Sequence, residues 1–141
     1  MKKIFISSDH AGYKLKEAIK LHLSKKKLSF QDMGPYNDNR VDYPDFAHKL
    51  AKRVKKNKNN FGILVCGSGM GMNISANRHK NIRAAQCFNL KSTKLSRLHN
   101  DANIITLGSR LLTKKTALSC VSVFLNTKFE GGRHSKRIKK I

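Results

Sequence analysis

The residues best equipped for chemistry lie in short polar clusters, most of them directly after an apolar run. Asp9-His10-Ala11-Gly12 follows the run Lys3 to Ser7, Cys66-Gly67-Ser68-Gly69-Met70-Gly71 follows Phe61 to Val65, and Gly108-Ser109-Arg110 follows Asn103 to Leu107. His99-Asn100-Asp101 stands just ahead of the last run. A thiol at the start of a helix can give up its proton easily enough to act as base or nucleophile, which singles out Cys66. Composition alone favours a plainer role for Cys66, as a small buried hydrophobe, and Cys87 in a strand and Cys120 on a helix face read that way too. The three alternating glycines let backbone approach a ligand. Ahead of a helix, they aim several N–H groups at an anion or a developing oxyanion. A tight packing turn would use the same glycines, and spacing does not choose between the two. The loop lacks the Gly-Lys-Ser/Thr of a Walker motif, and it follows the third strand rather than the first, so it is no dinucleotide fingerprint.

Six histidines divide in two. His22, His48 and His79 fall among lysines on helices or turns and read as solvated. His10, His99 and His134 each stand beside other candidates, where a group titrating near neutrality is useful. Arg133, His134 and Arg137 form a compact basic set whose arginines are one helical turn apart. Such a pair can grip phosphate, or it can simply extend the basic tail 129–141.

Positioning these clusters requires strands that end beside them. Lys3 to Ser7, Leu28 to Met33, Phe61 to Val65, Ile82 to Phe88 and Asn103 to Leu107 read as strands, with Ile63-Leu64-Val65 apolar enough for the sheet centre. Helical spacing marks Gly12 to Lys26, Pro44 to Val54, a segment opening within or just after the glycine loop, Leu90 to Leu98 and Leu111 to Leu125, with helical potential after Gly132. This alternation predicts an α/β fold: one domain, 1–141, a three-layer α/β/α Rossmann-like arrangement with about five parallel strands and right-handed crossovers. Ligands of such sheets bind beyond the carboxyl ends of the strands, where the polar clusters fall.

Composition narrows the classes. The 141 residues make an ordinary domain that needs no staple. Three cysteines are a poor disulfide framework, and no pair has metal-ligand spacing. No segment is apolar enough to cross a membrane, so a cytoplasmic protein without a membrane partner is expected. Thirty Lys and Arg against eight Asp and Glu give a formal charge of +22. That charge would attract nucleic acid. However, the lysines are spread over helix faces (Lys14, Lys16, Lys20; Lys49, Lys52, Lys55) without the interleaved aromatics that base stacking needs. Abundant Lys, Asn and Ile fit a drift of codon usage toward A and T. No specific nucleic-acid partner is expected, and the positive field favours an anionic small substrate.

Taken together, Ser8-Asp9-His10-Ala11-Gly12, Asp42-Tyr43-Pro44, the glycine loop from Cys66 to Gly71, Arg97 to Asn103, Leu107-Gly108-Ser109-Arg110 and Glu130-Gly131-Gly132-Arg133-His134 resemble the type B ribose-5-phosphate isomerases, in order and over essentially the whole chain. The resemblance implies reversible conversion of ribose 5-phosphate to ribulose 5-phosphate, a pentose phosphate pathway step, with no metal and no organic cofactor. One branch of the family uses a cysteine base at the position of Cys66. Another uses a glutamate a few residues on, where this chain has Asn73 and Ser75 and no carboxylate. His99 matches the ring-opening acid. Asp9, His10, Tyr43, Gly67, Ser68, Gly69, Met70, Gly71, Asn100, Arg110, Arg133 and Arg137 match substrate-binding positions. Ser68 stands where threonine is frequent and keeps the hydroxyl expected to polarise Cys66. The family forms homodimers, in some cases dimers of dimers, with sites shared between subunits. Galactose-6-phosphate isomerase subunits, the alternative within the same fold, lack the His-Asn-Asp pattern seen at His99 to Asp101. Some type B enzymes accept allose 6-phosphate. Outside the family, the rival classes are a basic nucleic-acid-binding protein and a nucleotide-binding domain on the same fold.

Overall fold

Side chains alternate across a strand, and that alternation divides the interior of this protein into two apolar layers. A computed structural model describes residues 2–141. β1 (Lys3–Ser8), β2 (Phe30–Asp32), β3 (Asn60–Cys66), β4 (Ala84–Gln86) and β5 (Ile104–Gly108) pair in parallel in the order β2-β1-β3-β5-β4. Ile4, Ile6, Ile63, Val65, Ile105 and Leu107 point to one layer, and Phe5, Leu64, Cys66 and Ile104 point to the other. α1 (Tyr13–Lys25), α4 (Leu90–Asn100) and α5 (Lys114–Asn126) cover the first face. α2 (Tyr43–Val54) and α3 (Met70–Ala76) cover the second. A short α6 (Arg133–Ile138) ends beside α4. The expected parallel three-layer α/β/α architecture is present.

Each helix supplies the stripe its layer needs. α1 buries Leu15, Ile19 and Leu23, spaced four apart, and α2 buries Ala47, Leu50, Ala51 and Val54. β2 and β4 are shorter than their apolar runs predict, at three residues each, because both are sheet edges. Met33, Ile82 and Cys87 are buried just outside those strands, and the Met33 and Cys87 N–H groups still donate to the neighbouring strands at Ile6 O, 2.8 Å, and Thr106 O, 3.1 Å. α5 opens at Lys114 rather than Leu111, where the Thr113 hydroxyl accepts the Thr116 N–H at 3.1 Å.

One helix-face lysine is buried, and the reading of His22, His48 and His79 as solvated is corrected. Lys16 is fully buried: its Nζ donates to Asp32 Oδ1 at 2.8 Å and to the Pro35 carbonyl at 2.6 Å. His22 lies 2.7 Å from the Ser122 hydroxyl, and His48 Nδ1 lies 2.8 Å from His79 Nε2, all three half-buried. Their partners are 16 to 100 residues away along the chain, beyond the reach of local pattern. Among the described residues, no helix is long and apolar enough to cross a membrane.

Candidate active site

β1 and β3 are neighbours whose following helices leave to opposite faces, α1 to the first layer and α3 to the second. Such a switch point opens a crevice at the carboxyl ends. Here a cleft of about 470 Å³ is lined by Asp9, His10, Tyr43, Cys66, Gly67, Ser68, Gly71 and Arg110, with Ala11 and Leu111. Eight of the candidate residues therefore share one cavity.

Backbone bonds lock its walls together. The Asp9 N–H donates to the Val65 carbonyl at 3.1 Å, and the buried Asp9 carboxylate accepts the Gly12 N–H at 2.9 Å. Gly12 lies so close to β3 that a Cβ there would sit 2.3 Å from the Val65 carbonyl oxygen. The β5 exit is tied to the glycine loop by Ser109 N–H to Cys66 O at 2.8 Å and Arg110 N–H to Gly67 O at 2.9 Å. The Arg110 guanidinium lies against Gly67. His10 Nδ1 lies 3.2 Å from the Val41 carbonyl and 3.3 Å from the Val41 N–H, so the loop before α2 fixes its ring.

Cys66 is the last residue of β3, and its side chain is buried at the cleft floor. Gly69 adopts φ of 77°, a left-handed turn that turns its N–H back onto the sulfur at 3.1 Å. Ser68 does something other than expected: its hydroxyl accepts the Met70 N–H at 3.2 Å, and the sulfur's donor is the Gly69 backbone. Gln86, which local sequence does not flag, braces the loop from β4 by donating to the Ser68 carbonyl at 2.7 Å. Gly69 and Met70 form the turn behind the cleft and do not line it, and Met70 is exposed.

His99, Asn100, Arg133 and Arg137 are elsewhere. They sit where α4 ends and α6 begins, beside the residues that lead into β4 and β5: Arg83 Nε donates to the Asn100 carbonyl at 3.0 Å. This is the amino end of the sheet. β5 alone, at roughly 3.3 Å per residue, puts about 15 Å between the two ends. Asp101 holds the end of α4 through ion pairs to Arg97 at 2.8 Å and Arg83 at 3.1 Å. The His99 and His134 rings stack there at 4.3 Å. Burial first, then the neighbouring His99 and Arg133, lower the pKa of His134 and favour its neutral form. One chain thus divides the candidate set into a cleft with the thiol and a remote cluster with His99.

A doubly wound sheet with a polar, thiol-bearing cleft at its switch point defines a small-substrate α/β protein, and comparison with known proteins gives the particular family. Residues 4–141 match the sequence profile described as Ribose/Galactose Isomerase. Ribose-5-phosphate isomerase B of Escherichia coli is 40% identical over 141 residues, covering 100% of this chain and 95% of that protein. The crystal structure of a ribose 5-phosphate isomerase from Thermotoga maritima superposes with a TM-score of 0.95 at 47% identity, covering 99% of this chain and 96% of that one. Ribose-5-phosphate isomerase B from Mycoplasma genitalium, solved with bound ribulose-5-phosphate, gives 0.94 at 45% identity, covering 98% and 92%. The chain belongs to the ribose/galactose isomerase family, and it is an isomerase.

Proposed function

We propose that the chain interconverts ribose 5-phosphate and ribulose 5-phosphate through an enediolate, with the Cys66 thiolate as the base. The observation that carries this reading is the buried Cys66 sulfur at the cleft floor, receiving the Gly69 N–H at 3.1 Å. The relative holding ribulose-5-phosphate at TM-score 0.94 supports the substrate. Cys66 takes the proton from C2 of the open-chain sugar and returns it to C1 while the enediolate oxygen gains a proton and the C2 hydroxyl loses one. The loop N–H groups that line the cleft and are not otherwise engaged, those of Gly67, Ser68 and Gly71, hold the developing oxyanion, where one donor is worth on the order of a hundredfold in rate. Ser68 acts on this loop by fixing the Met70 N–H. Asp9 and Tyr43 hold the sugar, and His10 and Arg110 stand ready for its phosphate.

The remaining residues come from a second copy. His99, the ring-opening acid, with Asn100, Arg133 and Arg137, lies at the opposite end of the sheet from the thiol of its own chain, and pairing of two chains completes one site. The end of α4 in one copy then faces the cleft of the other, which makes a homodimer the smallest active unit. Arg133 and Arg137 grip the phosphate, and that remote binding energy orients the reacting carbons.

A coupled assay of ribose 5-phosphate isomerisation tests this, with allose 6-phosphate and galactose 6-phosphate as comparison substrates. Cys66→Ala should lose at least about a hundredfold in kcat while unfolding at nearly the wild-type urea concentration. Full activity in that variant would remove Cys66 as the base. A preference for galactose 6-phosphate would move the chain to the galactose branch.

A further inference from the structure

The cluster at the end of α4 holds a buried polar atom that nothing around it satisfies. His134 is 6% exposed, and its Nε2 has no hydrogen-bond partner. Buried ring nitrogens without partners are uncommon and call for a ligand or an explanation. This one faces the Glu130 carboxylate, 3.5 Å from Oε2, and His99 Nε2 lies 3.7 Å from the same oxygen. One donor atom from each of the three residues lies within 4.8 Å of the others, the one such group of His, Cys, Asp and Glu among the described residues.

We propose that His99, Glu130 and His134 form a site for a divalent transition-metal ion of the Zn²⁺ type, and that its occupation switches the isomerase off by taking His99 out of use. The donor set is two imidazoles and a carboxylate, a combination Zn²⁺ accepts with a fourth position left for water. Ligands about 2.1 Å from a tetrahedral ion stand roughly 3.4 Å apart. The two edges to Glu130 already have nearly that length. The third edge requires the stacked rings to splay, and His99, in the last turn of α4, is the less buried of the two rings within its own chain.

The backbone holds the three ligands in place. The Glu130 N–H donates to the Leu98 carbonyl at 3.1 Å, which ties the loop to the turn that carries His99. Glu130 and His134 are four residues apart, and the chain reverses between them through Gly131 and Gly132, with φ of 74° and 55°. Arg133 and Arg137 oppose a cation here, and the Glu130 carboxylate is the charge that offsets them. The site itself rests on this geometry alone, and its inhibitory effect rests on the isomerase reading.

Calorimetric titration of the full-length protein with Zn²⁺ tests the site, with visible spectra of the Co²⁺-substituted form to report the ligand type. One ion per chain is expected, with a spectrum free of thiolate charge transfer. Glu130→Gln alters an exposed side chain and should weaken binding more than about tenfold, His134→Asn should do the same, and Cys66→Ala should leave it unchanged. Isomerase activity should fall as the site fills and return with chelator. Absence of saturable binding, binding that survives Glu130→Gln, or a thiolate spectrum lost in Cys66→Ala would overturn the site. A filled site on a fully active enzyme would overturn the switch. A chain that binds Zn²⁺ through these residues but isomerises no sugar phosphate would keep the metal site and sink the functional proposal.

Discussion

Gly12→Ala tests how tightly the cleft is tied to the sheet. The added Cβ would lie 2.3 Å from the Val65 carbonyl oxygen and 2.5 Å from its carbon, both backbone atoms that no rotamer change can move. An ordinary contact is near 3.5 Å, so the start of α1 must move away from the end of β3 by about 1 Å. Overpacking of this kind costs about 3 kcal/mol, which at a urea slope of about 2 kcal/mol/M lowers the midpoint by roughly 1.5 M. The same shift separates Asp9, on the β1 exit, from Cys66, on the β3 exit, and a 1 Å misplacement of reacting groups costs about a hundredfold in rate. Gly62→Ala is the control: its Cβ would meet Leu50 Cδ2 at 2.5 Å and Ile104 Cγ1 at 2.9 Å, side-chain atoms inside the second layer and away from the cleft. Urea unfolding and the coupled assay, at a temperature where both variants are folded, should show stability loss in both and a large activity loss in Gly12→Ala alone. A Gly12→Ala enzyme of wild-type stability and rate would refute the close approach. Equal activity losses in the two would refute the claim that Gly12 sets the site geometry.

His99→Asn should slow turnover of the cyclic sugar phosphate by about a hundredfold or more and spare an open-chain substrate, and an equal loss on both would argue against ring opening by His99. Asp32→Asn should destabilise the fold by about 3 kcal/mol, read from urea midpoints, because it leaves the fully buried Lys16 ammonium with only the longer, more exposed pair to Glu17 at 3.7 Å. Burial pushes the Asp32 carboxyl up, but hydrogen bonds from Lys16 and Lys20 outweigh it and hold the carboxyl below the usual range. The folded-state pKa therefore lies under the unfolded one, so this stability is complete above about pH 5 and drains away as pH falls below about 4. A variant whose stability runs parallel to wild type through that window would contradict the assignment.

The sequence makes the central architecture legible because burial and pairing coincide there. Ile63-Leu64-Val65 is apolar on both sides because both sides are covered, and it is a strand in the structure. At the edges the two part company: Ile82 is buried without belonging to β4, so the apolar run overstates the strand. Polar residues after strands predict the cleft well, since a parallel sheet brings strand ends together whatever its strand order. The bracing of Gln86 on Ser68 and the burial of Lys16 depend on which strands lie side by side, which no local pattern encodes. The same gap hides Glu130, whose interest comes only from the histidines that packing brings to it.

A sheet with its thiol at one end and His99 at the other also has a bearing on inheritance. Under the paired arrangement proposed here, an allele lacking Cys66 and an allele lacking His99 are each silent alone, yet a cell carrying both is not. Every mixed dimer contains one site built from the intact cleft of one product and the intact helix end of the other, beside one site with both defects. With random pairing, half the dimers are mixed and a quarter of all sites are whole. Two lesions in one gene would thus behave in a cross as lesions in two genes do, which a site built within a single chain could not produce.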